Sequence, residues 1–213
     1  MRNTILLALF IVTFSACSKD DDNSSSNATV DCGVAPFRSG TIYKYSSSNG
    51  EIGTTIFGID TVISGRKYYK QTNSQIAEQQ TNLFHVASNG DIYWSAILPN
   101  GLSQYNMINH IILKMNQPTE TTWQYEWNLA NSQLVIYYHK IISTTETLLF
   151  NNKEYNKGII VETIIKRFQN NNLITTIKQI QTYFCGLGNS RTALFNPINT
   201  NNPQIINITD YEY

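Results

Sequence analysis

The sequence predicts an all-β domain, mostly antiparallel, in which one strongly curved sheet closes partly or wholly around a core. Three observations predict it. From residue 41 onward, runs rich in Ile, Thr, Tyr and Val alternate apolar with polar residues and are separated by Asn-Gly and Asn-rich turn signals. Two uninterrupted runs, 133–150 and 156–169, far exceed the usual strand of about five or six residues, a length that implies a bent, coiled sheet. The prolines, at 36, 99, 118, 197 and 203, stand mostly between such runs, so strand interiors keep their ladder donors.

Taken in order, residues 41–45 alternate with Thr41, Tyr43 and Tyr45 on one side, and Asn49-Gly50 supplies a hairpin turn because both residues tolerate positive φ. Residues 54–64 form a β-rich run ending at Gly65, and 66–71 return. Residues 82–87, the Asn89-Gly90 turn and 91–98 make a second hairpin in which Ile92, Trp94, Ala96 and Leu98 share a face. Leu102, Tyr105, Ile108, Ile112 and Met115 then recur at helical spacing, predicting a short helix near 102–112, although 111–115 also reads as a short strand before Pro118. In 156–169, Ile159, Val161 and Ile165 line one face and Glu162 and Lys166 the other; Asn170-Asn171-Asn172 marks the turn into 173–184.

An internal echo points to duplication. Asp60 to Lys70 aligns without gaps to Glu146 to Asn156, matching an acid, a Thr, two aliphatics, a turn residue at Gly65/Asn151, Lys67/Lys153 and Tyr69/Tyr155. Upstream, Tyr43-Lys44-Tyr45 echoes Trp123-Gln124-Tyr125. The pattern describes one unit used twice: an aromatic strand, a long strand, a turn and a return strand. The alternative is coincidence between two hairpins of similar composition.

The amino-terminal segment has a different character. Arg2 precedes a ten-residue apolar stretch, 5–14, which is too short for a membrane-spanning helix of about 20 residues and right for a secretory signal. Phe14-Ser15-Ala16-Cys17 resembles a bacterial lipobox, with Phe14 in the apolar position usually held by Leu. The resemblance implies that residues 1–16 are a signal peptide and that Cys17 is acylated, for instance by palmitate, anchoring the chain in a membrane; the other reading is a free Cys in an ordinary cleaved leader. Each buried CH₂ of such an anchor contributes about 0.8 kcal/mol. Ser18-Lys19-Asp20-Asp21-Asp22 is similar to the acidic export tag of Bacteroidetes surface lipoproteins, which implies the outer membrane and the cell surface. Residues 17–32 thus comprise the anchor, the tag and a Ser/Asn-rich tether, and 33–213 a single β domain. The whole arrangement, ending in Tyr183-Phe184-Cys185-Gly186-Leu187-Gly188, resembles many uncharacterised Bacteroidetes lipoproteins. The predicted domain is similar to half-barrel lipoprotein-carrier and lipocalin-like architectures.

With Cys17 acylated, Cys32 and Cys185 remain as a pair in an oxidising compartment. A disulfide between them closes a loop of about 150 residues and stabilises by up to roughly 5 kcal/mol on the chain-entropy model; two buried free thiols are the alternative. A thiol titration of denatured, unreduced protein separates the two, the bridge predicting no free thiol at either position.

Composition narrows function. Fifteen basic residues balance fifteen acidic ones with no Lys/Arg patch, which excludes a nucleic-acid surface. The 25 Asn and 12 Gln give an uncharged polar body. His85, His110 and His139 have no metal-ligand spacing and read as satisfied structural groups. No nucleophile elbow or P-loop occurs, Gly186-Leu187-Gly188 reads as a turn, and the sparse carboxylates signal no glycosidase pair. The expectation is therefore a lipoprotein that is not an enzyme and needs no cofactor. Trp94, Trp123, Trp127, Tyr43 and Tyr45 are its candidate ligand-facing aromatics, with Tyr137 and Tyr138 beside them, suited to an apolar or glycan ligand. Core packing is the competing role for each. The other functions considered are a structural or accessory subunit docking to an envelope protein partner, and a glycan hydrolase.

Overall fold

The computed structural model describes residues 40–63, 65–73, 81–97, 106–195 and 203–212. They form twelve strands: β1 (Ile42–Ser47), β2 (Ile52–Ile63), β3 (Arg66–Asn73), β4 (Thr81–Val86), β5 (Ile92–Ile97), β6 (Met107–Leu113), β7 (Thr122–Leu129), β8 (Gln133–Phe150), β9 (Lys153–Gln169), β10 (Asn172–Phe184), β11 (Gly188–Phe195) and β12 (Gln204–Glu212). All belong to one antiparallel sheet in the order β6-β5-β4-β3-β2-β1-β12-β11-β10-β9-β8-β7. Apart from β6 and β7, successive strands pair with one another, and β1 pairs with β12, so the meander curls into a nearly closed barrel interrupted by one seam, between β6 and β7. Near-closure leaves two edge strands, and they face each other.

Turn chemistry sets the register. Gly50 and Gly90 take φ of 86° and 89° in the two Asn-Gly turns. Asn151-Asn152 and Asn170-Asn171 place both central residues at positive φ, the backbone that a tight two-residue hairpin requires. The internal echo falls on equivalent places: β2–β3 and β8–β9 are the second and third strands of two successive six-stranded halves, and the echoed aromatics open those halves on β1 and β7.

The expected helix near 102–112 is corrected. Residues 102–105 lie outside the described residues, and 107–113 are strand β6. The residues at helical spacing do not share a buried face: Ile108 is exposed, Ile112 half-buried, and Met115 buried beyond the strand end. Opposite β5, Trp94 pairs with His110 but Ala96 with Met107, so β6 carries an extra residue, and Asn109 adopts φ 54° to accommodate it. Together with a second bulge, where Ile92 pairs with Leu113 but Tyr93 with Ile111, it interrupts the period of two and buries Met107, His110 and Leu113 at intervals of three. Strands β11 and β12, beyond the last expected strand, complete the ring.

One end of the barrel is plugged. The pairing of β10 with β9 stops at Tyr183↔Ile159, while the β8–β9 hairpin continues past it through register shifts between Ile141 and Leu148. The hairpin bends so that Leu148, Phe150 and Tyr155 join the core of Ile141, Val161, Phe184 and Leu187. Tyr155 meets Phe184 edge-on at 6.4 Å between ring centroids. A second cluster, built on Ala96, Met107, Val135 and Tyr137, packs behind the seam.

Candidate functional site

Between the two clusters the barrel holds a partly open cavity of about 340 Å³, at the small end of the range of about 300–1,000 Å³ for small-molecule sites. Alternation along the strands aims side chains into it from nearly all round the ring. One wall, from β1, β2, β4 and β5, is aromatic: Tyr43, Tyr45, Phe57, Phe84 and Trp94. Its rings interlock edge-on, Tyr43 on Phe57 at 5.7 Å and Phe57 on Phe84 at 5.8 Å. The facing wall, from β8 to β11, carries Tyr137, His139, Thr163, Gln179, Gln181, Tyr183 and Asn189 among apolar neighbours. No Asp, Glu, Lys or Arg is among the described residues that line it.

Several polar groups here are spare. The hydroxyl of Tyr183, a residue 5% exposed, is buried with no hydrogen-bond partner among the described residues. Burial pushes the phenols of Tyr183 and Tyr45 above their ordinary range, so both remain neutral donors. The amides of Gln71 and Gln179 make no hydrogen bond among the described residues either. By contrast, Gln181 Nε2 donates to Asn189 Oδ1 at 3.1 Å, and Asn189 Nδ2 donates to the Arg191 carbonyl at 2.8 Å.

The two histidines that the sequence treats as separate meet at the cavity edge. His110 Nε2 and His139 Nε2 lie 2.7 Å apart, and both residues are buried. His139 Nδ1 is 2.9 Å from Thr163 Oγ1, and His110 Nδ1 is 3.2 Å from Met107 Sδ. The partners fix the tautomers. A thioether only accepts, so His110 donates from Nδ1 and accepts at Nε2. His139 must then donate from Nε2 and accept the Thr163 hydroxyl proton at Nδ1. Every position is satisfied with both rings neutral. Burial, together with the charge of its neighbour, pushes His110 down to about 3, and burial pushes His139 down to about 4. The 2.7 Å separation is that of a shared hydrogen; an ion about 2.0–2.1 Å from each nitrogen would hold the rings further apart.

Side chains, rather than a ladder, close the seam. The Tyr125 hydroxyl accepts from the Ile108 amide at 3.1 Å and donates to the Ile108 carbonyl at 3.0 Å, so one phenol replaces a whole peptide partner. Trp123 Nε1 donates to the Ile111 carbonyl at 2.8 Å. Tyr125 stacks on His110 at 4.5 Å and Trp123 on His139 at 5.0 Å. The β6 bulge makes this arrangement: it leaves Ile108 half exposed with its backbone toward β7 and turns His110 inward.

Of the five expected ligand-facing aromatics, Tyr43, Tyr45 and Trp94 line the cavity. Trp123 belongs to the seam, and Trp127 packs into the second cluster with its buried Nε1 unpartnered among the described residues. Tyr137 also lines the cavity, whereas Tyr138 borders a shallow outer groove with Lys140 and Glu162. His85 stays apart, its Nδ1 2.9 Å from the Lys67 carbonyl. Cys17 and Cys32 lie outside the described residues; Cys185 is disulfide-bonded.

No family model matches the chain, and no curated protein matches it. Two solved structures are similar to it. One is a proposed lipoprotein from Parabacteroides distasonis, with 10% identity and a TM-score of 0.48 over 84% of this chain and 97% of that one. The other is a proposed exported protein with a YmcC-like fold from Bacteroides fragilis, with 9% identity and a TM-score of 0.44 over 84% of this chain and 98% of that one.

Proposed function

We propose that this chain is a lipoprotein anchored at the outer membrane through acylated Cys17, exposed at the cell surface, whose barrel binds one small uncharged ligand in its interior. The lipobox and the acidic run of Asp20 to Asp22 support the location. The observation that carries the binding role is the 340 Å³ cavity, uncharged and two-faced, with aromatic rings facing spare amides and a spare phenol.

That lining favours a neutral glycan-type ligand of one or two rings over an acyl chain. The ring CH face of a sugar packs on Tyr43, Phe57 and Trp94 while its hydroxyls pair with Gln71, Gln179 and Tyr183. An acyl chain would keep those polar groups unpaired, at about 1–3 kcal/mol for each one it seals from water. With no carboxylate among the described lining residues, binding rather than hydrolysis is the favoured role. The two edge strands face each other across a seam bridged by Tyr125 and Trp123, which argues against a partner docking through a free edge.

Tyr183→Phe tests the reading because its two effects have opposite signs. Removing a buried, unpaired hydroxyl should stabilise the empty protein by about 1 kcal/mol, raising Tm by roughly 2–4 °C. The same change should weaken glycan binding about tenfold, the effect of one lost hydrogen bond. Thermal shifts with neutral mono- and disaccharides and with a fatty alcohol measure both. Stabilisation of the wild type by the alcohol alone would reverse the ligand class.

A further inference from the structure

We propose that the plugged end of the barrel is the face that rests on the lipid bilayer, with the tips of the β2–β3 and β8–β9 hairpins seated among its headgroups. The proposal rests on Cys17 being the lipid anchor, and concerns which way the anchored domain stands. Because the sheet is antiparallel, the β2–β3, β8–β9 and β10–β11 turns lie at the same end as the start of β1. Both hairpin tips are apolar and open: Val62 and Ile63 are 69% and 40% exposed, and Leu149 is 73% exposed. Leu149 points outward for a local reason. Its neighbours Leu148 and Phe150 turn into the core where the hairpin folds over the end, so alternation leaves Leu149 on the outer side. The two hairpins are half a ring apart in the strand order, so their tips stand on opposite sides of one end. Beside them Arg66, Lys67, Lys153 and Lys157 are exposed, against one exposed acid, Glu154, among the described residues of the two tips. Aliphatic groups flanked by long cationic side chains suit the interface of an anionic bilayer, where the apolar groups leave water and the charges meet phosphate.

The cysteines select this end over the other. Cys185, in the β10–β11 turn, is disulfide-bonded, and the chain's other cysteines, Cys17 and Cys32, both precede β1. With Cys17 acylated the partner is Cys32, and the bridge ties the anchor's tether to the plugged end. Residues 17–32 reach about 50 Å at full extension, at about 3.3–3.6 Å per residue. Aliphatic residues are exposed at the opposite end as well, Ile52 on β2 and Leu173 and Ile174 on β10. Strand β10, 13 residues and about 40 Å long, separates Leu173 from Cys185. Bringing Leu173 to the bilayer would draw the tether nearly taut along the barrel, at a cost in chain entropy that the plugged end does not incur.

The test uses the lipidated full chain, unreduced, in vesicles of phosphatidylethanolamine and phosphatidylglycerol. Leu149→Cys, Ile63→Cys and Leu173→Cys each supply one free thiol for a nitrobenzoxadiazole label, and nitroxide-bearing lipids quench any label that reaches them. The labels at 149 and 63 should be quenched several-fold more strongly than the label at 173, with their emission shifted to the blue. The two tips are tested in separate variants, so either serves if the other folds poorly. Quenching at 173 as strong as at the tips would overturn the proposal. Anchored protein with no quenching at either tip would also overturn it, and would leave the tips to a protein partner. Flotation with the vesicles reads the anchor separately. Protein that does not float loses the Cys17 anchor and this proposal with it, whereas floating protein without quenching loses this proposal alone.

Discussion

Gly158→Ala should destabilise the protein by about 3 kcal/mol, lowering Tm by roughly 6–12 °C. A Cβ at this position would lie 2.6 Å from Phe184 Cζ, closer still to Cε1, and 2.9 Å from Glu146 Cβ. Neither neighbour is free to retreat. Phe184 sits in the core against Tyr155, and Glu146 is on the paired strand of the same hairpin. The hairpin must therefore lift off the barrel end or the core must open. Gly158→Ala combined with Phe184→Leu should recover part of the loss, because the clash is with the ring edge. A single variant as stable as wild type, measured by thermal or urea unfolding, would show that the hairpin does not plug the barrel.

Acidification should weaken the fold through the histidine pair. Both rings are held well below their ordinary value, His110 at about 3 and His139 at about 4, while in the unfolded chain they take up protons near pH 6.5. Between those limits the unfolded state binds more protons, so stability rises with pH; the contribution is complete above about 6.5 and is lost as pH falls toward 4. The slope is at most about 1.4 kcal/mol per pH unit for each histidine, giving an expected loss of about 2–4 kcal/mol from pH 7.5 to pH 5. The double variant His110→Phe/His139→Phe keeps two flat rings at the stacked positions and removes both titrating groups. It should be near wild type in stability at neutral pH and lose most of this acid slope. His139→Phe alone leaves Nε2 of His110 buried without its donor, and should cost about 1–3 kcal/mol at neutral pH. Urea midpoints across pH measure all three proteins, and an undiminished slope in the double variant would sink the account.

The sheet was legible because its signals are local. Alternation in 41–45 and 91–98 and the Asn-rich turns mark strands and hairpins without reference to the rest of the chain. Even the placement of the aromatic strands was available from the echo of Tyr43-Lys44-Tyr45 in Trp123-Gln124-Tyr125. What misled was a spacing without a shared face: Ile108, Ile112 and Met115 recur at helical intervals, yet they lie in and just beyond a twice-bulged strand on which Ile108 is exposed. The cavity was legible in part. Tyr43, Tyr45 and Trp94 follow from alternation, but Trp123 and Trp127, equally inward by that rule, go to the seam and the second core cluster because β7 is an edge strand. The histidine pair joins residues 29 apart in sequence that meet only when the sheet curls. The signal for it was present but weak: His139 shares the inward face of its strand with Tyr137 and Ile141. Unpaired amides carry no sequence signal, since Gln71 and Gln179 differ from the other glutamines only in what surrounds them.

The most direct test of the central claim, that the barrel holds a small neutral ligand, is native mass spectrometry of the full chain and its Tyr183→Phe variant, purified in parallel from envelope extract. The account predicts one small neutral adduct per wild-type chain, released on unfolding and depleted in the variant. Wild type and variant both arriving as bare protein, with Tyr183→Phe no more stable than wild type, would contradict it.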